Sequence, residues 1–134
     1  MSRENVDVVR AAWEAWERGD MDAVFDTYDS AIVWDQSRFG TAELSGVYHG
    51  HDGVREFFRA WMTPFDGYYG HADEFIDAGD AVVVSVRQGG RGKESGVEVK
   101  MTVWQVYRLR GGLIVEIAPY ETRAEALEAV GLAE

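Results

Sequence analysis

Between residues 54 and 69 the hydrophobic period of this chain changes from that of a helix to that of a strand. Val54, Phe57, Phe58 and Trp61 fall at i, i+3, i+4 and i+7, which is one stripe of a helix, and Pro64 prevents that helix from continuing. Beyond it the apolar residues alternate. Strands are expected at about Tyr69–Asp77, Ala81–Gln88, Val97–Leu109 and Leu113–Pro119. Turns are expected at Gly79-Asp80, in the glycine-rich segment Gly89–Gly96, and at Gly111-Gly112. Such a run of strands forms an antiparallel sheet, and any helices that precede it must bury their apolar stripes on one of its faces.

The first fifty residues supply those helices. Val6, Val9, Trp13 and Trp16 recur at helical spacing after Ser2, a candidate N-cap, and Gly19 is a stop signal. Asp20 caps a second, shorter helix with Val24, Phe25 and Tyr28 on its apolar side. A short strand follows at Ala31–Asp35. Residues 36–49 show no period and are read as a loop. At the far end Thr122 and Glu125 have capping-box spacing and open a last helix that ends at Gly131. The whole, residues 1–134, is expected to be a single α+β domain: a cone-shaped, curved antiparallel sheet with the N-terminal helices on its concave face. A sheet closed this way leaves an apolar cavity, the usual setting for a small-molecule site.

Charge and composition limit the partners. Asp and Glu number 24 against 13 Lys and Arg, a net charge of −11, which argues against nucleic acid or an anionic membrane surface. With no cysteine, disulfides, thiolate catalysis and Cys-ligated metals are excluded. The N-terminus shows no apolar signal core, so a cytoplasmic protein is expected. Arg18-Gly19-Asp20 reads as a helix stop followed by a cap. Gly89–Glu94 lacks the Ser/Thr and the following helix of a phosphate loop.

Several residues are candidates for chemistry. By period 2, Ala31, Val33 and Asp35 share a face; if Val33 points inward, Asp35 stands at an apolar wall where it can shuttle a proton. The alternative is that Asp35 ties up the loop that follows it. In the next strands one parity turns Val83, Ser85 and Arg87 inward, with Arg87 pairing Asp35, and the opposite parity leaves Arg87 outside. His71, beside Tyr68 and Tyr69, either lines the pocket mouth as an acid/base partner or is a half-exposed strand residue. His49-Gly50-His51-Asp52 lacks the converging ligands of a metal site and reads as a capping segment, so neither metal nor cofactor is expected. Trp13, Trp16, Trp34, Phe57, Trp61 and Tyr107 suit a core, and equally the walls around a flat, apolar or aromatic ligand.

Three stretches together resemble the SnoaL-like, nuclear-transport-factor-2-like superfamily: Trp13–Asp22, Ala31–Asp35 and Gly50–Phe58, joined by the strand pair Val103–Tyr120 with its Gly-Gly-Leu-Ile-Val-Glu-Ile turn. The resemblance spans roughly residues 5–121. It implies a cystatin-like α+β barrel, a homodimer packed through the open face of the sheet, and a pocket between the first helix, the third helix and the inward strand residues. In the ketosteroid isomerases of this group a general-base Asp matches Asp35. Their helix Tyr falls at about Ala12 and their oxyanion-stabilising Asp near Gln105, so the isomerase machinery is incomplete. Arg87-Gln88-Gly89 likewise departs from the Arg-x-Asp of the epoxide-hydrolase branch. Two readings remain. One is an acid/base isomerase or cyclase acting on an apolar carbonyl compound through Asp35, with Gln105, His71 or Arg87 orienting the substrate. The other is a non-catalytic ligand-binding or dimerisation module whose Asp35 is tied up by hydrogen bonds.

Overall fold

The computed structural model describes residues 2–39 and 45–133, with Ser2 as backbone only. Helix α1 (Ser2–Glu17) ends in the Schellman pattern that Gly19 permits: the Gly19 amide donates to Trp16 O and the Asp20 amide to Ala15 O, at φ +76°. Asp20 then caps α2 (Met21–Asp26), its carboxylate accepting from the Ala23 amide at 3.1 Å. This tight junction fixes the end of α1, and with it Trp16, against the sheet. Strand β1 (Tyr28–Asp35) starts earlier than its apolar alternation indicates. A short strand β2 (Val47–His49) lies within the segment expected to be loop; residues 40–44 of that segment lie outside the described residues. Helix α3 (Gly50–Met62) buries Val54 and Phe57. His49 occupies its N-cap position, but its side chain makes no capping hydrogen bond.

Strands β3 (Phe65–Asp77), β4 (Ala81–Gly92), β5 (Glu98–Arg110) and β6 (Leu113–Tyr120) complete one six-stranded sheet in the order β2-β1-β6-β5-β4-β3. All neighbours are antiparallel except β1 and β6, which are parallel. The sheet is therefore mixed rather than wholly antiparallel, because the chain crosses over through α3 and the β3–β5 meander before β6 returns beside β1. Register shifts on β3, between Asp66 and Tyr69 and between Ala72 and Glu74, are bulges that add curvature.

The glycine-rich turn expected at Gly89–Gly96 is half strand. Gly89, Gly90 and Gly92 belong to β4, and a Cβ on Gly89 would stand 2.0 Å from Val99 O. The glycine there admits a close approach of β5 rather than making a turn.

Helices α1, α2 and α3 pack on the concave face over Val82, Val84 and Val86 of β4, Val103, Tyr107 and Leu109 of β5, and Ile114 and Ile117 of β6. The other face of β4 and β5 carries Val83 and Val106. These are covered by Ala126 and Leu127 of α4 (Arg123–Ala129), whose Thr122 cap accepts from the Glu125 amide at 3.1 Å. The run Ala81–Val86 is thus buried on both faces. No helix among the described residues is long and apolar enough to cross a membrane.

Candidate functional site

Helices α1–α3, strand β1 and the loop after it, and strands β3–β6 line a cavity that opens to solvent. Its walls are aromatic. Trp34 and Phe57 stack with ring centroids 5.0 Å apart, Phe57 and Trp61 stack at 5.9 Å, and Trp13 and Trp16 close the side formed by α1. Gly70 lies against both indoles of α1; a Cβ there would make ordinary contact, 3.5 Å from Trp16 Nε1.

Each of the four indole N–H groups has a fixed acceptor. Trp16 donates to Gly70 O at 2.9 Å. Trp13 donates to Tyr107 Oη at 3.1 Å, which donates in turn to Gln105 Oε1 at 2.5 Å. Trp34 donates to Gln36 Oε1 at 2.7 Å. Trp61 donates to Tyr68 Oη at 3.1 Å, whose hydroxyl reaches Gln88 Oε1 at 3.3 Å, and Gln88 Nε2 rests on Met101 Sδ. Three tryptophans therefore each begin a hydrogen-bond chain that ends on a glutamine carbonyl.

Among the described residues the lining contains no Asp, Glu, His, Lys or Arg. Its titratable groups are three phenols. Burial pushes Tyr68 up to about 12, and it drives Tyr28 and Tyr107 higher still. All three remain neutral donors through the physiological range.

Of the residues expected at a site, Trp13, Trp16, Phe57, Trp61, Gln105 and Tyr107 line this cavity together. Asp35, Arg87 and His71 do not. In β1 the inward residues are Ile32 and Trp34, followed by Gln36, so Asp35 takes the opposite parity. Its side chain is 17% exposed and accepts from the Ser37 amide at 3.0 Å, the Ser37 hydroxyl at 2.5 Å and Arg38 Nη1 at 3.0 Å. Partial burial would raise the Asp35 carboxyl, but the bonds from Ser37 and Arg38 outweigh it and hold the carboxyl below its usual range. Asp35 ties up the loop after its strand.

Arg87 is turned out as well, because Val82, Val84 and Val86 are the residues that meet the helices. Its guanidinium, 57% exposed, forms a two-pronged pair with Asp73, Nε at 2.7 Å and Nη2 at 2.9 Å. The expected Asp35–Arg87 pair is not formed. His71 stands opposite Arg87 across the β3–β4 ladder, 48% exposed, with Nδ1 3.9 Å from Glu17 and its ring stacked on Tyr69. His51 lies between Phe25 and Tyr28, with Nε2 3.2 Å from Tyr28 O. Gln36, Gln88 and Tyr68 complete the polar set of the cavity and were not singled out by sequence. The signal for Gln36 was present: in Ile32-Val33-Trp34-Asp35-Gln36 the bulkiest alternating residues fix the inward parity.

The model of the SnoaL-like domain matches residues 9–117, and the chain belongs to that family. Its fold is shared with an NTF2-like protein of unknown function from Burkholderia pseudomallei, 25% identical, covering 96% of this chain and 98% of that one with a TM-score of 0.75. It is shared also with an NTF2-like protein from Burkholderia thailandensis, 26% identical over 91% and 95%, TM-score 0.78. A Mesorhizobium loti protein provisionally assigned as a SnoaL-like polyketide cyclase is 20% identical over 85% and 96%, TM-score 0.69. No curated protein sequence matches the chain.

Proposed function

We propose that this protein binds a small, flat, apolar or aromatic molecule in the α1–α3–sheet cavity, holding it by ring contacts and neutral hydrogen bonds. The observation that carries this reading is a cavity walled by four tryptophans, with no group that ionises near neutral pH among its described lining residues. The acid/base reading through Asp35 finds no such support, because its carboxylate is engaged by Ser37 and Arg38 on the other side of the strand. The family includes cyclases and isomerases, and a carbonyl compound fits the neutral donors of the cavity equally well.

A homodimer through the part of the outer sheet face that α4 leaves uncovered is proposed on family grounds; light scattering after gel filtration reads it directly. Titration with fluorene, followed by tryptophan emission, tests the binding reading. Saturable quenching, equal in the wild type and in Asp35→Asn, is the expected result. Absence of saturable binding in the wild type overturns it.

A further inference from the structure

Of the described residues that line the cavity, all but Gln36 and Phe39 sit on a helix or a strand. A wall residue in a loop needs contacts of its own to hold it in place. Gln36 has two anchors: its carboxamide oxygen accepts from Trp34 Nε1 at 2.7 Å, and its amide donates to Gly46 O at 2.8 Å. Phe39 is held through a turn. Its amide donates to Gln36 O at 3.2 Å, and its ring meets that of Trp61 with centroids 6.4 Å apart.

The two residues between them, Ser37 and Arg38, are exposed, and both donate to Asp35. A carboxylate that accepts from the amide two residues on makes an Asx turn, and here the turn from Gln36 to Phe39 follows directly. The Ser37 hydroxyl and Arg38 Nη1 add two further bonds to the same carboxylate, at 2.5 and 3.0 Å. Arg38 also lies over the Tyr120 ring, 5.4 Å from its centroid, so the outer side of the turn rests on the end of β6. Gln36 and Phe39 thus face the cavity, while the groups that fold the turn between them meet on the opposite side of β1.

We infer that Asp35 is a positioning residue of the site: from outside the cavity, its carboxylate folds the turn that sets Phe39 in the cavity wall. The inference rests on the ligand-binding reading above and adds to it a part for a residue that the ligand does not touch. Without that acceptor, Ser37 and Arg38 turn to water, and the Phe39 wall is formed in only a fraction of the molecules. The apparent dissociation constant then rises by the inverse of that fraction. Asparagine keeps a side-chain oxygen in the same place and supports the same turn, so the acceptor matters here and the charge does not.

The test is titration of the full chain with fluorene, followed by tryptophan emission, in Asp35→Ala, Asp35→Asn, Ser37→Ala, Phe39→Ala and the double variant Asp35→Ala/Phe39→Ala. Urea titration checks that each is folded. Asp35→Ala should weaken binding about fivefold, and Asp35→Asn should restore it to within about twofold of the wild type. Ser37→Ala, which loses one of the three bonds, should fall between. In the Phe39→Ala background, Asp35→Ala should cost about twofold or less, because the wall it positions is already gone. If folded Asp35→Ala binds as tightly as the wild type, the positioning inference fails while the pocket stands. Asp35→Asn as weak as Asp35→Ala, or an undiminished loss in the Phe39→Ala background, also overturns it. If the wild type shows no saturable binding, the ligand-binding reading fails and takes this inference with it.

Discussion

Strand β4 carries Val84, Val86 and Gln88 toward the helices and, one residue out of step, Ser85 and Arg87 away from them; β1 does the same with Trp34 and Gln36 against Asp35. The two sides of these strands use different chemistry. Inside, the described polar groups are neutral, and the carbonyls of Gln36, Gln88 and Gln105 are joined to a tryptophan, directly or through a tyrosine. Outside, charges meet charges: Asp35 with Arg38, Arg87 with Asp73, Arg108 with Glu116 and Arg123 with Glu74. Burial explains the division. An ion in the aromatic cavity would lose its hydration with no counter-ion to replace it, whereas a carboxamide costs far less to bury once its oxygen is bonded. The excess of acid in the composition therefore lies with solvent, and the ligand side is left to amides and phenols.

Substitutions on the two sides should differ accordingly. The largest effect is expected for Phe57→Ala, which removes a buried ring stacked on both Trp34 and Trp61 and should lower unfolding stability by about 3–5 kcal/mol in urea titration. Tyr107→Phe should follow at about 1–3 kcal/mol, because it strands Trp13 Nε1 and Gln105 Oε1 together. Asp35→Asn should cost less and act through pH. The folded pKa of Asp35 is depressed, so its contribution is complete above the unfolded value of about 3.9 and is lost as pH falls through the folded one. The variant should show a shallower loss of stability below about pH 4 and wild-type ligand affinity. Arg87→Ala, at an exposed pair, should leave both the urea midpoint and ligand affinity unchanged.

The same division explains what could be read in advance. The change of period at Pro64, the Gly19 stop, the Asp20 and Thr122 caps and four strands of the meander follow from local chemistry, and the structure contains them all. The aromatic walls were legible too, since helical spacing puts Trp13, Trp16, Phe57 and Trp61 on inward stripes. Strand parity was harder. Ala81–Val86 is buried on both faces, by α1–α3 on one and α4 on the other, so its alternation carries no sign and Arg87 could be assigned to either side. In β1 the apolar Val33 leaves the parity open, and with it the side of Asp35; the buried Ile32 and Trp34 fix it, turning Asp35 out and Gln36 in. The hydrogen-bond chains depend on residues up to 94 positions apart, as Trp13 and Tyr107 are, and no local pattern specifies them.

The most direct test of the neutral cavity is the affinity for 9-fluorenone, a ligand with no ionisable group, measured by calorimetry in the wild type and in Asp35→Asn from about pH 6 to about pH 9. With only high-pKa phenols and amides at the ligand, the dissociation constant should stay constant within about twofold across that range and between the two proteins. An affinity that changes tenfold through a single ionisation, or that collapses in a folded Asp35→Asn, would contradict it.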